Sequence, residues 1–211
     1  TALALPDFFI LSSLQCYSLS MKIIQLSDIH IAPDGIDTLG IDVRANLRAS
    51  LEDAIDKGGT QLVITGDLCF DVGESEVYEW IELFLGGYDI PVRIIPGNHD
   101  NTTMIAERFA EPSKFDGDEG ELYWEEEWLG HRIFFLDSAK GDLSERQREW
   151  LASRLHNLNS SPLIFMHHPP IDLQVPYMDN MQPRPDTDAF FSSLRGTDQT
   201  VYIFVGHYHV D

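Results

Sequence analysis

The sequence predicts an α/β fold layered around one or two sheets, and three observations carry that expectation. Short runs rich in Ile, Val and Phe alternate with amphipathic stretches, most of the runs end in polar or glycine-bearing turns, and 211 residues that are 43% hydrophobic and 11% aromatic suffice for one sizeable core. No internal repeat and no domain-splitting linker interrupts the alternation.

In chain order, strand patterns fall on residues 22–26, 61–65, 92–95, 132–136, 162–166 and 200–205. Helical patterns fall between them on residues 43–57, 74–85, 144–158 and 187–194. Gly58-Gly59 and Gly86-Gly87 mark helix ends, and Asp142 or Ser144 is positioned to cap the third helix. Residues 115–128 hold seven acids, among them Asp116, Asp118, Glu121 and Glu126. A calcium loop starting at Asp116 would put its turn glycine at position five rather than six, so a solvated acidic loop leading into an edge hairpin is expected instead. Residues 1–20 are fairly apolar, but Pro6 and Asp7 interrupt them and no basic segment precedes them, unlike a signal peptide. With a clean strand pattern starting at Met21-Lys22, residues 1–20 are expected to be a non-native or disordered leader, an extra strand being the alternative.

Fourteen basic against 35 acidic residues give a net charge of −21. This excludes a basic nucleic-acid footprint, and an anionic substrate would have to be small or drawn in by bound cations. Cys16 and Cys69 make no disulfide framework or zinc spacing, which suits a reducing, cytoplasmic compartment. No later run is long and apolar enough to span a membrane.

The chemistry lies at strand ends. After the first strand comes Ser27-Asp28-Ile29-His30, after the second Gly66-Asp67, after the third Gly97-Asn98-His99-Asp100, after the fifth His167-His168-Pro169-Pro170, and after the last Gly206-His207-Tyr208-His209. Six of the eight histidines sit in these motifs; His131 and His156 lie elsewhere and read as surface or packing residues. Alternation on extended chain lets Asp28 and His30 point the same way. Ligands of open α/β sheets bind beyond the carboxyl ends of strands, where glycines permit tight turns. Asp, Asn and His donors without cysteine favour Mn, Fe, Zn or Co, and there are too many for one ion.

Asp28-x-His30, Gly66-Asp67, Gly97-Asn98-His99-Asp100, His167-His168-Pro169 and Gly206-His207-x-His209, in that order from Met21 to Asp211, resemble the five signature blocks of the calcineurin-like metallophosphoesterase superfamily. Gly97-Asn98-His99-Asp100 with His167-His168-Pro169-Pro170 most resembles its cyclic-nucleotide phosphodiesterase and glycerophosphodiesterase branch. Gly66-Asp67-Leu68-Cys69-Phe70-Asp71 departs from the protein Ser/Thr phosphatase branch. The resemblance implies a four-layer α/β/β/α sandwich of two mixed sheets flanked by helices, as a single catalytic domain over residues 21–211. Because the chain stops two residues after its last histidine, C-terminal strands of that fold are expected to be missing.

The resemblance further implies two divalent or trivalent ions, one held by Asp28, His30 and His209, the other by Asn98, His167 and His207, with Asp67 bridging. Water activated by the ions would attack phosphorus in line. His99, outside the ligand set, would contact the phosphate alongside Asn98 and protonate the leaving oxygen. Many relatives support this histidine with a polar residue three positions after the bridging Asp; here Phe70 holds that position and Asp71 follows. His168 and Asp71 would lie just behind the ligands, Asp100 would be a turn or cap residue, and Tyr208 would face the pocket or pack.

Among the remaining candidates, Arg44 and Asn46 open a helix near enough to approach substrate. Residues 171–185 would shape the pocket or a dimer contact. Trp80, Trp124, Trp128 and Trp150 fit core or sheet-edge positions better than a stacking platform, since accompanying basic residues are missing. The functional expectation is a dinuclear phosphodiesterase for a small diester, a cyclic nucleotide or glycerophosphodiester, with no nucleic-acid polymer or membrane as partner and a homodimer or higher oligomer as its assembly. The alternatives are a phosphomonoesterase or nuclease of the same superfamily and, last, a non-catalytic scaffold, which would be expected to have lost ligands.

Overall fold

A computed structural model describes residues 21–181 and 185–209. The leader expected at residues 1–20, Cys16 within it, and the terminus at Asp211 lie outside the described residues. The chain runs β1 (Ile23–Leu26), α1 (Val43–Asp56), β2 (Gln61–Thr65), α2 (Ser75–Leu85), β3 (Val92–Ile95), α3 (Thr102–Phe109), β4 (Phe115–Asp116), β5 (Glu121–Leu122), β6 (Trp124–Trp128), β7 (His131–Phe135), α4 (Glu145–Arg154), β8 (Leu163–Phe165), α5 (Pro176–Met181), α6 (Thr187–Ser193) and β9 (Tyr202–Phe204).

Strands β1-β2-β3 form one sheet, parallel throughout its described strands, and β6-β7-β8-β9 form a second in which antiparallel β6 gives the mixed character. Alternation along the second sheet decides what each of its faces buries. Ile133, Phe135, Phe165 and Phe204 join the core shared with the first sheet, whereas Phe134, Leu136, Ile164 and Met166 pack with Leu151 and Leu155 of α4 and its C-cap and with Phe190 of α6. On the other side, α1 and α2 bring Leu47, Leu51, Val77 and Ile81 to the first core. This is the expected layering of two sheets flanked by helices.

Local chemistry explains most boundaries. Asp42 caps α1 by accepting from the Ala45 amide (2.9 Å), and Ser144 rather than Asp142 caps α4 through the Gln147 amide (3.1 Å). The expected edge hairpin is β6–β7, turned by Leu129 and Gly130, both at positive φ as a two-residue hairpin loop requires. Two acids of the stretch are not solvated, contrary to expectation. Glu121 is buried, and Glu126 accepts from Arg93 (2.7 Å), Trp124 (3.0 Å) and Trp128 (2.8 Å), which makes three consecutive glutamates compatible with a sheet. Residues 102–109, given no element by the sequence reading, form α3, capped by Asn101 on the Met104 amide (3.1 Å).

Candidate metal centre

The motif residues sit where the parallel strands end. The loop after β1 is laced to the loop after β2 by the Asp28 amide on Gly66 O (3.0 Å) and the His30 amide on Asp67 O (3.1 Å). The loop after β9 is joined to the first of these, because the His207 amide donates to the Asp28 carboxylate (3.0 Å). Asp28, His30, Asp67, His207 and His209 all have positive φ, five of the nine non-glycine residues in that state among the described residues. Backbone strain is thus gathered at one place, as expected of a site that fixes side-chain direction at a conformational cost. Gly97 makes the approach possible: a Cβ there would strike the Asp67 carboxylate.

Two of the imidazoles are aimed from behind. His167 Nδ1 donates to Thr65 O (2.8 Å) and His30 Nδ1 to Cys69 O (3.1 Å), which turns both Nε2 lone pairs inward. His30 Nε2 then lies 3.1 Å from His209 Nε2, and His209 Nε2 lies 3.2 Å from Asp28 Oδ1. His167 Nε2 lies 3.2 Å from Asp67 Oδ2 and 3.2 Å from Asn98 Oδ1. Donor atoms of Asp28, His30 and His209 fall within 4.8 Å of one another, as do those of Asp28, Asp67 and His167 and those of His167, His168 and His207. The seven donors expected from the sequence therefore converge. Among the described residues the buried His207 Nε2 has no hydrogen-bond partner, an orphaned ring nitrogen that a metal ion would satisfy.

The electrostatics suit cations. Burial, helped by the neighbouring His167, pushes His207 down to about 4, and burial takes His168 down to about 3, so both imidazoles are neutral, the ligating form. Burial alone would raise the Asp67 carboxyl, but the hydrogen bond and charge of His167 and the His99 amide (2.9 Å) hold it below the usual carboxylate range. Burial would lower His167, yet Asp67 raises it.

A family profile for calcineurin-like phosphoesterases matches residues 21–211. The chain belongs to this family. A relative named a probable cyclic nucleotide phosphodiesterase, from Fibrobacter succinogenes, is 35% identical over 192 residues, covering 90% of this chain and 73% of the relative. A probable glycerophosphodiester phosphodiesterase of Arcobacter nitrofigilis is 30% identical over 198 residues, covering 90% and 72%. A crystal structure of a dimetal phosphatase from Danio rerio superimposes with a TM-score of 0.69 over 90% of this chain and 82% of that one; at 15% identity it shows the shared fold.

In this calcineurin-like phosphoesterase, the other expected residues take the following places. His99 lies beside His30, ring centroids 5.1 Å apart, and its Nδ1 donates to the backbone carbonyl of Asp71 (2.8 Å). Asp71 thus supports His99 through its main chain, which is how the departure at Phe70 is met. Asp100 braces the turns, accepting from the amides of Gly97 (2.9 Å) and Leu68 (3.1 Å) and from Tyr78 (3.2 Å), while Asn101 takes the cap. His168 shares Ser138, whose hydroxyl meets Nδ1 at 3.1 Å and accepts the His168 amide at 3.0 Å. Sequence reasoning passed over Ser138, although it stands just beyond the fourth strand, where the same strand-end logic applies. Asn46 lines the adjoining cavity, but Arg44 does not: it is held by Asp34 (2.7 Å) and Ala32 O and lies over Trp80. Tyr208 lines the cavity and donates to Asp179 (2.8 Å), tying α5 to the site. Among the described residues of the 171–185 segment, Met178 reaches the same cavity.

Proposed function

We propose that this protein is a dinuclear metal-dependent phosphodiesterase acting on small phosphodiesters of the cyclic-nucleotide or glycerophosphodiester kind. The observation that carries the reading is the convergence of seven Asp, Asn and His donors from five strand ends around Asp67, with an orphaned His207 Nε2 among them. Asp28, His30 and His209 would hold one ion and Asn98, His167 and His207 the other, with Asp67 available to both. When bound, such a pair lowers the pKa of water and neutralises phosphoryl oxygens in an in-line displacement. The chain's own part is to fix the donors through Thr65, Cys69 and Gly97 and to place His99. With Nδ1–H donating to Asp71 O, His99 presents Nε2 towards the phosphate, where the doubly protonated ring gives its Nε2 proton to the departing oxygen and is left neutral.

The names of the two relatives support the diester class. The −21 charge favours a small substrate over a nucleic-acid polymer, and cysteine usage supports a cytoplasmic setting. No helix among the described residues is long and apolar enough to cross a membrane. The test is to purify the protein without chelator, quantify bound metal, and compare bis-p-nitrophenyl phosphate with p-nitrophenyl phosphate in the presence of Mn²⁺. About two equivalents of metal and faster diester turnover are expected; faster monoester turnover would move the assignment to a phosphatase, and folded protein without metal would overturn it.

A further inference from the structure

Six of the seven donors, all but His167, line a cavity of about 770 Å³, far more space than a phosphoryl group needs. Much of its remaining lining is apolar and comes from separate segments: Leu39 and Ile41 from the loop before α1, Val43 and Leu47 from α1, Phe70 from the loop after β2, and Met178 from α5. The α1 contribution follows a helical face, since Val43, Asn46, Leu47 and Ser50 are spaced i, i+3, i+4 and i+7, and Asn46 and Ser50 add an amide and a hydroxyl. Among the described residues no Lys or Arg side chain lines the cavity, and nearby Arg44 is engaged by Asp34.

Leu39 is the telling residue. It is 81% exposed and Ile41 53% exposed, yet both line this cavity. Leu39 also holds a left-handed backbone (φ 58°), a costly state for a leucine, within a turn fixed by the Gly40 amide on Asp37 (2.9 Å) and the Ile41 amide on Thr38 O (3.1 Å). Two exposed branched side chains beside a reactive site offer apolar surface that a ligand would cover.

We propose that these residues form a specificity subsite for the second ester group of the substrate, and that the group it takes is aromatic and uncharged. The proposal rests on the phosphodiesterase reading for its phosphate position. A flat ring buries its faces against Leu39, Ile41 and Phe70 and leaves Asn46 and Ser50 to polar atoms on its edge, whereas a small polyhydroxy alcohol such as glycerol would leave these apolar side chains in water, and a second phosphate would find no cation among the described lining residues.

The test uses Mn²⁺-reconstituted protein and two stable dianions, phenylphosphonate and methylphosphonate, titrated calorimetrically into wild type and into a double variant, Leu39→Asn with Ile41→Ser. Asparagine tolerates the left-handed backbone, and both positions are exposed, so the fold is retained; Met178→Ser provides an independent variant. Wild type is expected to bind phenylphosphonate at least about tenfold more tightly than methylphosphonate, since burial of a ring's apolar area supplies that much. The ratio is expected to fall at least fivefold in the double variant. Equal wild-type affinities, no phenylphosphonate binding, or a ratio unchanged in both variants would overturn the subsite. Turnover of bis-p-nitrophenyl phosphate measured on the same samples separates the two claims: its absence counts against the phosphodiesterase reading, while the phosphonate ratio still decides the subsite.

Discussion

At the residue scale, Asp67 and His99 divide the labour. Asp67 takes His167 on one oxygen and the His99 amide on the other, so its position depends on two loops at once. His99 is held by a carbonyl rather than by a charged partner. With His99 in its proposed role, His99→Ala lowers kcat on bis-p-nitrophenyl phosphate by about 10²- to 10⁴-fold while bound metal is retained, as metal analysis of the variant will show. Gly97→Ala acts differently. The added methyl meets the Asp67 carboxylate and displaces it, so metal content and activity fall together. The donors themselves were legible because Asp, Asn and His recur at strand ends in a fixed order. Two features were not. The left-handed backbone at Asp28, His30 and Asp67 has no signature in residue type, since glycine is the usual occupant of that region, and the tie of His99 to Asp71 runs through the main chain, which no side-chain motif encodes.

At the element scale, β6 shows how far patterning reaches. Trp124 and Trp128 mark a buried face, but three glutamates between them read as solvated until Arg93, Lys114 and both indoles are brought around Glu126 by the tertiary fold. The helix α3 was unreadable for a related reason: its eight residues follow directly on a motif, and its cap, Asn101, adjoins the more conspicuous Asp100. The strands β1, β2, β3, β7, β8 and β9 were legible because continuous Ile, Val and Phe runs suit strands buried on both faces. Burial would raise the Glu126 carboxyl, but hydrogen bonds from Arg93, Trp124 and Trp128 bring it down to about 2 from an ordinary 4.5. Being depressed in the folded state, this carboxylate contributes stability that is complete above pH 4.5 and is lost as the pH falls from there towards about 2. Glu126→Gln is therefore expected to cost roughly 1–3 kcal/mol at neutral pH. The gap between variant and wild type should narrow in that acidic window, as urea unfolding midpoints at several pH values will show. Asp42→Ala, which removes the cap of α1, is expected to cost about 1 kcal/mol in the same assay.

At the scale of the whole molecule, two sheets bring loops from five strand ends to one cluster of metal-binding side chains on a strongly acidic protein. Carboxylates and imidazoles gathered there gain more from cations in the folded than in the unfolded chain. A chelator is accordingly expected to lower the thermal midpoint, with metal at a hundredfold excess over its dissociation constant restoring about 2.7 kcal/mol per site; scanning calorimetry with and without chelator reads the shift. The central claim is that two ions held by Asp28, His30, Asp67, Asn98, His167, His207 and His209 make this calcineurin-like phosphoesterase a diester hydrolase. It is tested most directly by titrating Mn²⁺ into metal-free protein while following bis-p-nitrophenyl phosphate hydrolysis. The account expects the rate to climb to a plateau at about two equivalents per chain. Tight binding of both ions without diester turnover, or turnover indifferent to metal, would contradict it.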